Sequence, residues 1–149
     1  MRTWWTDERV ARLAAEADAW RGTPFAPNSS AKGLGVSCQM LAGELFRAAG
    51  YPNPLEIPDV PIAHARFSTT SFVTAWFETR ADFVPVPIVG PLVPGDVLGF
   101  QIGRSVHHLG VMLPGNQFVH VLEGLGVVVN SLADATWYSR LANAWRPQP

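Results

Sequence analysis

The sequence predicts an α+β fold, with helices in the first half, an antiparallel sheet in the second and a reactive side chain where they meet. Three observations carry this. Between residues 6 and 49 apolar residues recur every three or four positions, the period of a helix with one buried face. Between residues 96 and 132 they gather in four short runs separated by two or three turn residues, which leaves room only for antiparallel neighbours. The only cysteine, Cys38, falls at the start of the second helical segment. A chain of 149 residues can bury a sizeable core and fits one domain, 1–149.

The elements follow in order. Residues 6–20 read as an amphipathic helix. Thr6 or Asp7 caps it, Val10, Leu13, Ala14, Ala17 and Trp20 form its apolar stripe, and Gly22 and Pro24 end it. A Gly-, Pro- and Ser-rich loop, residues 22–37, leads to a second helix over 38–49. Ser37 is its N-cap, and Cys38, Leu41, Ala42, Leu45, Phe46 and Ala49 lie on its buried face. Residues 52–70 are proline-punctuated and irregular, and 71–79 read as a short helix. The prolines of 83–94 argue against a central strand there. The strands are Asp96–Ile102, Val106–Leu113, Gln117–Glu123 and Gly126–Leu132, and a last helix is expected over 134–142.

Composition excludes several classes of function. Eleven basic residues against 12 acidic ones give a net charge of −1, which offers no electrostatic footprint for nucleic acid. A lone cysteine cannot form an internal disulfide framework. The N-terminus lacks an apolar core and carries Asp7, Glu8, Glu16 and Asp18, so it does not read as a signal peptide. Four prolines and Asp96 interrupt the apolar stretch 83–102, so no transmembrane segment is expected. These features lead to the expectation of a protein that is cytoplasmic as synthesised.

Cysteine chemistry needs a polarised thiol and a base. A helix N-terminus favours the thiolate, and an imidazole can take the proton. The histidines are His64, His107, His108 and His120. His64 has no evident partner. His107 and His108 are neighbours in one strand and therefore point to opposite faces. If Leu113 pairs with Gln117 across the turn at Pro114-Gly115-Asn116, His120 lies opposite Gly110. His108 and His120 are then diagonal neighbours on one face, and His107 goes with Leu109 and Val111 to the other. From the residues alone, a single cysteine is more often a small buried hydrophobe than a nucleophile. Zinc is the lesser reading, because no second cysteine or carboxylate stands at ligand spacing beside Cys38 and the histidines.

Four stretches in order resemble the NlpC-type cell-wall cysteine peptidases, a papain-like family of bacteria and phages. "AWRGTPFAPNSSAKGLGVSCQMLAGELFRAAGY" resembles the family's lead-in helix, glycine-containing loop and cysteine-bearing helix. "VPGDVLGF", "HLGVML" and "FVHV" resemble its three site-bearing strands, and "GVVVNSLADATWYSRLANAWRP" resembles the ending of its phage-associated branch. The resemblance implies a papain-like fold and a cysteine peptidase or amidase acting on peptidoglycan stem peptides, with no metal or cofactor. It implies Cys38 as nucleophile, His108 as general base, His120 as the residue orienting that base, and the Cys38 backbone N–H as an oxyanion donor. Ser37, Gln39, Phe25 and His107 are the further oxyanion- and substrate-binding candidates.

Three of these depart from the family pattern. Ser37 and Gln39 stand where Asp and Ser flank the family's nucleophile, and Phe25 aligns with a tyrosine but has no hydroxyl. The acidic residue is associated with holding a substrate amine, so its loss points to altered substrate reading. Two further readings stand beside the hydrolase. One is a papain-like acyltransferase with the same triad. The other is a non-catalytic structural or binding component of a phage-tail-like particle, with Trp4 and Trp5 ahead of the first helix as contact residues. For the hydrolase, with no signal peptide expected, delivery to the wall would come from lysis, a phage-tail-like particle or a secretion apparatus. A hydrolase should place Cys38 Sγ within hydrogen-bond reach of His108 with His120 behind that ring. Its thiolate–imidazolium pair should give a bell-shaped pH profile.

Overall fold

The computed structural model describes residues 2–58 and 71–149. His64 and the later part of the irregular stretch lie outside the described residues. Helix α1 (Asp7–Trp20) is followed by a two-residue ribbon, β1 (Ser30–Ala31) with β2 (Gly35–Val36). Helix α2 (Cys38–Ala48) comes next, and the short α3 (Phe72–Glu78) follows residue 70. Strands β3 (Phe83–Pro85), β4 (Val97–Ile102), β5 (Ser105–Leu113), β6 (Gln117–Leu122) and β7 (Gly126–Ser131) precede a one-turn helix, α4 (Ala135–Tyr138), and β8 (Leu141–Pro147). The sheet is antiparallel, in the order β3-β8-β4-β5-β6-β7. No helix among the described residues is long and apolar enough to cross a membrane.

Both sheet faces are covered, which explains why the strands are almost continuously apolar. Leu109, Val111 and Leu113 of β5 face the helices and join Leu13, Leu41, Leu45 and Phe46 in one core. Met112 faces the other way, with Leu98, Phe100, Phe118 and Trp137 in a second, smaller core. The helix starts are as the residue types require. Thr6 Oγ1 accepts from Arg9 N, Ser37 Oγ from Met40 N and Ser71 Oγ from Thr74 N, each meeting a donor that the first helical turn cannot satisfy internally.

The proline-rich segment forms no central strand: it pairs only as the three-residue edge strand β3, where a missing N–H is tolerated. Two expectations are corrected. The last helix covers only Ala135–Tyr138, and Leu141 onward is a strand inserted between β3 and β4. A four-residue helix has little stability of its own, whereas Leu141–Pro147 gains ladder bonds on both sides. Trp4 and Trp5 are buried rather than presented for contact. Trp4 packs edge-on to Tyr51, and Trp5 Nε1 donates to Gly95 O at 3.1 Å. A Cβ at position 95 would fall 2.0 Å from that indole nitrogen and would have to adopt a φ of +89°, so glycine is required there.

The next residue anchors the sheet. Asp96 is fully buried at the entry to β4, and Arg146 of β8 meets it in a two-pronged pair with bonds of 2.8 and 2.7 Å. Asp96 Oδ2 also accepts from Val93 N. Removing one partner strands the other charge in the interior, so Asp96→Ala should lower unfolding stability by about 3–5 kcal/mol. Chemical denaturation followed by tryptophan fluorescence measures this, and a change below about 1 kcal/mol would mean the pair behaves as a surface contact.

Candidate active site

Cys38 is the first residue of α2, directly after the Ser37 cap. Its Sγ donates to Gln39 Oε1 at 3.0 Å and approaches His107 O at 3.7 Å. Cys38 and His108 line the same cleft. Gln39 is buried, and its Nε2 donates to His107 O at 3.0 Å, tying the start of α2 to β5.

That carbonyl is available because β5 carries a bulge. Phe100 pairs with His108 and Gln101 with Val106, which leaves His107 as the extra residue. A bulge breaks strict alternation and re-aims side chains. His107 consequently lines the same cleft as His108, instead of following Leu109 and Val111 to the helix side. Its Nδ1 is 3.0 Å from Ser105 O, and burial pushes its pKa down.

The β5–β6 register is the expected one, with Leu113 opposite Gln117. His108 and His120 share a face, and His108 Nε2 lies 2.8 Å from His120 Nδ1. The chain of contacts goes one strand further: His120 Nε2 lies 2.7 Å from Asn130 Oδ1 on β7. With the Asn130 oxygen facing His120, the tautomers follow. An amide oxygen only accepts, so His120 Nε2 carries the hydrogen and its Nδ1 accepts. His108 Nε2 must then be the donor, which leaves the lone pair on Nδ1, the base form.

Sequence reasoning missed Asn130, although the signal was present. His120 pairs with Val128, so Asn130 is its diagonal neighbour on the same face, the relation that His108 bears to His120.

The surroundings keep this relay neutral. His120 is fully buried, and Phe118 and Trp137 lie 4.6 Å from its ring; Phe100 and Trp137 flank His108. Burial pushes the His108 pKa far down, helped by the neighbouring His120, His107 and Arg140, and burial also lowers His120 against the opposing bond to Asn130. Both shifts favour the neutral imidazole.

A cleft of about 860 Å³ opens over these groups, with Cys38, His107 and His108 on one side and Phe25, Trp137 and Arg140 among its other lining residues. Ser37 and Gln39 also line it, but the Ser37 hydroxyl caps α2 and Gln39 bridges to β5. Among the described residues, no group of three His, Cys, Asp or Glu side chains is placed to hold a metal.

The sequence model of the NlpC/P60 family matches residues 34–146. The chain belongs to the NlpC/P60 family. A segment of 52 residues is 35% identical to the murein DD-endopeptidase MepS/murein LD-carboxypeptidase of Escherichia coli K12, covering 35% of this chain and 28% of that protein. Similar solved structures include an NLP/P60-family protein of Staphylococcus aureus, with a TM-score of 0.69 and 20% identity over 99% of this chain and 44% of that one. The NlpC/p60 domain of the peptidoglycan hydrolase SagA has a TM-score of 0.59 and 19% identity, covering 91% of this chain and 96% of that domain. The peptidoglycan hydrolase RipB of Mycobacterium tuberculosis has a TM-score of 0.57 and 18% identity, covering 93% and 63%. This structural likeness shows the shared papain-like α+β fold, the expected fold class.

Two measurements test the relay. Both histidines have folded pKa values below the ordinary 6.5, about 3 for His108 and about 4 for His120, so the unfolded chain binds protons that the native one refuses. Their contribution to stability is fully present above pH 6.5 and is lost as pH falls toward 4 and 3. Denaturation midpoints should fall across that window, and less steeply in His120→Gln; an equal slope would contradict a neutral relay. Asn130→Leu should leave the His120 N–H without its acceptor and cost about 1–3 kcal/mol. Nitrogen-15 spectra should show the His120 and His108 tautomer signals changing together, whereas a change confined to His120 would break the coupling.

Proposed function

We propose that this chain hydrolyses amide bonds in peptidoglycan stem peptides, with Cys38 as nucleophile, His108 as general base and His120 as the residue that orients the base. The observation that carries the reading is the relay from Asn130 through His120 to a His108 Nδ1 lone pair, in a cleft it shares with Cys38 at a helix N-terminus. Membership of the family and the murein and peptidoglycan hydrolases among its relatives support the substrate class. The chain spans little more than a quarter of the length of its Escherichia coli relative, so the activity is assigned from this site rather than from that protein as a whole.

In the proposed mechanism the Cys38 thiol gives up its contact to Gln39 Oε1 as it reacts. As sulfur attacks the scissile carbonyl carbon, His108 Nδ1 takes the thiol proton. The new imidazolium donates Nε2–H to His120, which passes the polarisation to Asn130. The carbonyl oxygen becomes an oxyanion near the first turn of α2, where the Cys38 N–H and the helix dipole stabilise it. Collapse breaks the C–N bond, and His108 protonates the departing amine. Water then attacks the thioester with His108 again as base, releasing the acid and restoring the thiol.

Purified peptidoglycan peptides incubated with the protein should yield fragments whose combined mass exceeds the parent by one water. Cys38→Ala and His108→Ala should lose at least about 10³-fold in kcat/KM while remaining folded. Cleavage that persists in Cys38→Ala would sink the reading. Because the base is held neutral, the acid limb of kcat/KM should lie below the ordinary imidazole value of 6.5. A limb at or above that value would point instead to a pre-ionised pair.

A further inference from the structure

The cleft contains a cation that this mechanism does not use. Arg140 lies between α4 and β8, and its backbone is fixed on both sides. Its N–H donates to Trp137 O at 3.1 Å, and its carbonyl accepts from Gln101 N at 2.8 Å. The guanidinium lies 5.4 Å from the Trp137 ring centroid. The same indole lies 5.9 Å from the His108 ring at an interplanar angle of 29°. Guanidinium and base thus each lie near the Trp137 indole, in the cleft they share with Cys38.

Among the described residues no carboxylate forms an ion pair with this cation. The ion pairs among the described residues use Arg12, Arg21, Lys32, Arg47, Arg80 and Arg146, and the Arg140 side chain is exposed. Glu123 also lines the cleft but does not pair with it. The charge opposes the reaction as it stands, because it is among the groups that disfavour an imidazolium at His108. An anion arriving with the substrate would remove that opposition. The guanidinium fork matches a carboxylate with two parallel bonds, and a side chain already resting on an aromatic face loses little freedom on binding one.

We propose that Arg140, held over Trp137, is a carboxylate-binding subsite, and that the substrate carries a free carboxylate close to the scissile amide. The assignment of that carboxylate to a stem peptide rests on the hydrolase reading; the subsite itself requires only a reactive Cys38.

Iodoacetate and iodoacetamide separate the two. Each forms a sulfur–CH₂ bond to Cys38 as iodide leaves and the thiol proton goes to solvent, and they differ only in carboxylate against amide. The iodoacetate-to-iodoacetamide rate ratio should fall about tenfold in Arg140→Gln and less in Arg140→Lys, the size expected for one charge-assisted contact. In a second arm, a stem peptide with a free glutamate carboxylate is compared with its amidated form. The KM advantage of the free acid should shrink about tenfold in Arg140→Gln, with kcat following less. An unchanged reagent ratio, or one that falls equally in Arg140→Lys and Arg140→Gln, would overturn the subsite. A shifted reagent ratio in a protein that cleaves no peptide would overturn the hydrolase reading and leave the subsite standing.

Discussion

The single extra residue at His107 in β5 holds the site together. In a regular ladder its carbonyl would face β4 and be satisfied there. The bulge exposes it instead, and Gln39 from the first turn of α2 takes it. The carbonyl just before it, Val106 O, accepts from Ser71 Oγ, the cap of α3, at 2.6 Å. Two helix starts are thus pinned to adjacent residues of one strand. This fixes Cys38 relative to His108, although they come from opposite halves of the chain. A regular β5 would turn His107 toward the helices and leave Gln39 Nε2 buried without this acceptor, a loss of about 1–3 kcal/mol.

Burial and hydrogen bonding divide the work at the relay. The aromatic wall of Phe100, Phe118 and Trp137 excludes water and keeps both imidazoles neutral, while the bonds through Asn130 decide which nitrogen carries each proton. Neutrality without the directed bonds would leave the tautomer of His108 undetermined. Directed bonds without the wall would leave the relay open to protonation in mildly acidic solution.

Much of this was legible in the sequence, because periodicity is a local property. The two long helices, the caps at Thr6 and Ser37 and the Leu113–Gln117 register all follow from spacing, and parity then puts His108 and His120 on one face. The same parity reaches Asn130 when carried across the next turn. Tertiary contacts decided what was not legible. Nothing in "SVHHLG" marks which residue bulges, since the bulge depends on β4 and on Gln39. Residues 141 and 142 read as the end of a helix over 134–142, and only the edges of β3 and β4 make a strand of 141–147. Trp4 and Trp5 looked exposed for lack of a visible partner, and Tyr51 and Gly95 are distant in sequence. The departures at Ser37 and Gln39 were readable as departures, and Ser37 as a cap, but only geometry shows that Gln39 bridges two elements.

The chain of imidazole contacts is encoded by two successive hairpins, β5–β6 and β6–β7, whereas the Cys38 sulfur arrives on a separate loop-and-helix segment from Gly33 to Ala48. The two modules meet through few directed contacts, chiefly the one from Gln39 to the bulge. Such an arrangement lets the flanks of the sulfur change without retuning the base, and lets the hairpins be kept intact while specificity drifts. It also marks a natural seam for recombination. Segments spanning positions 33–48 could be exchanged between members of the fold, and proton handling would be inherited unchanged from the recipient.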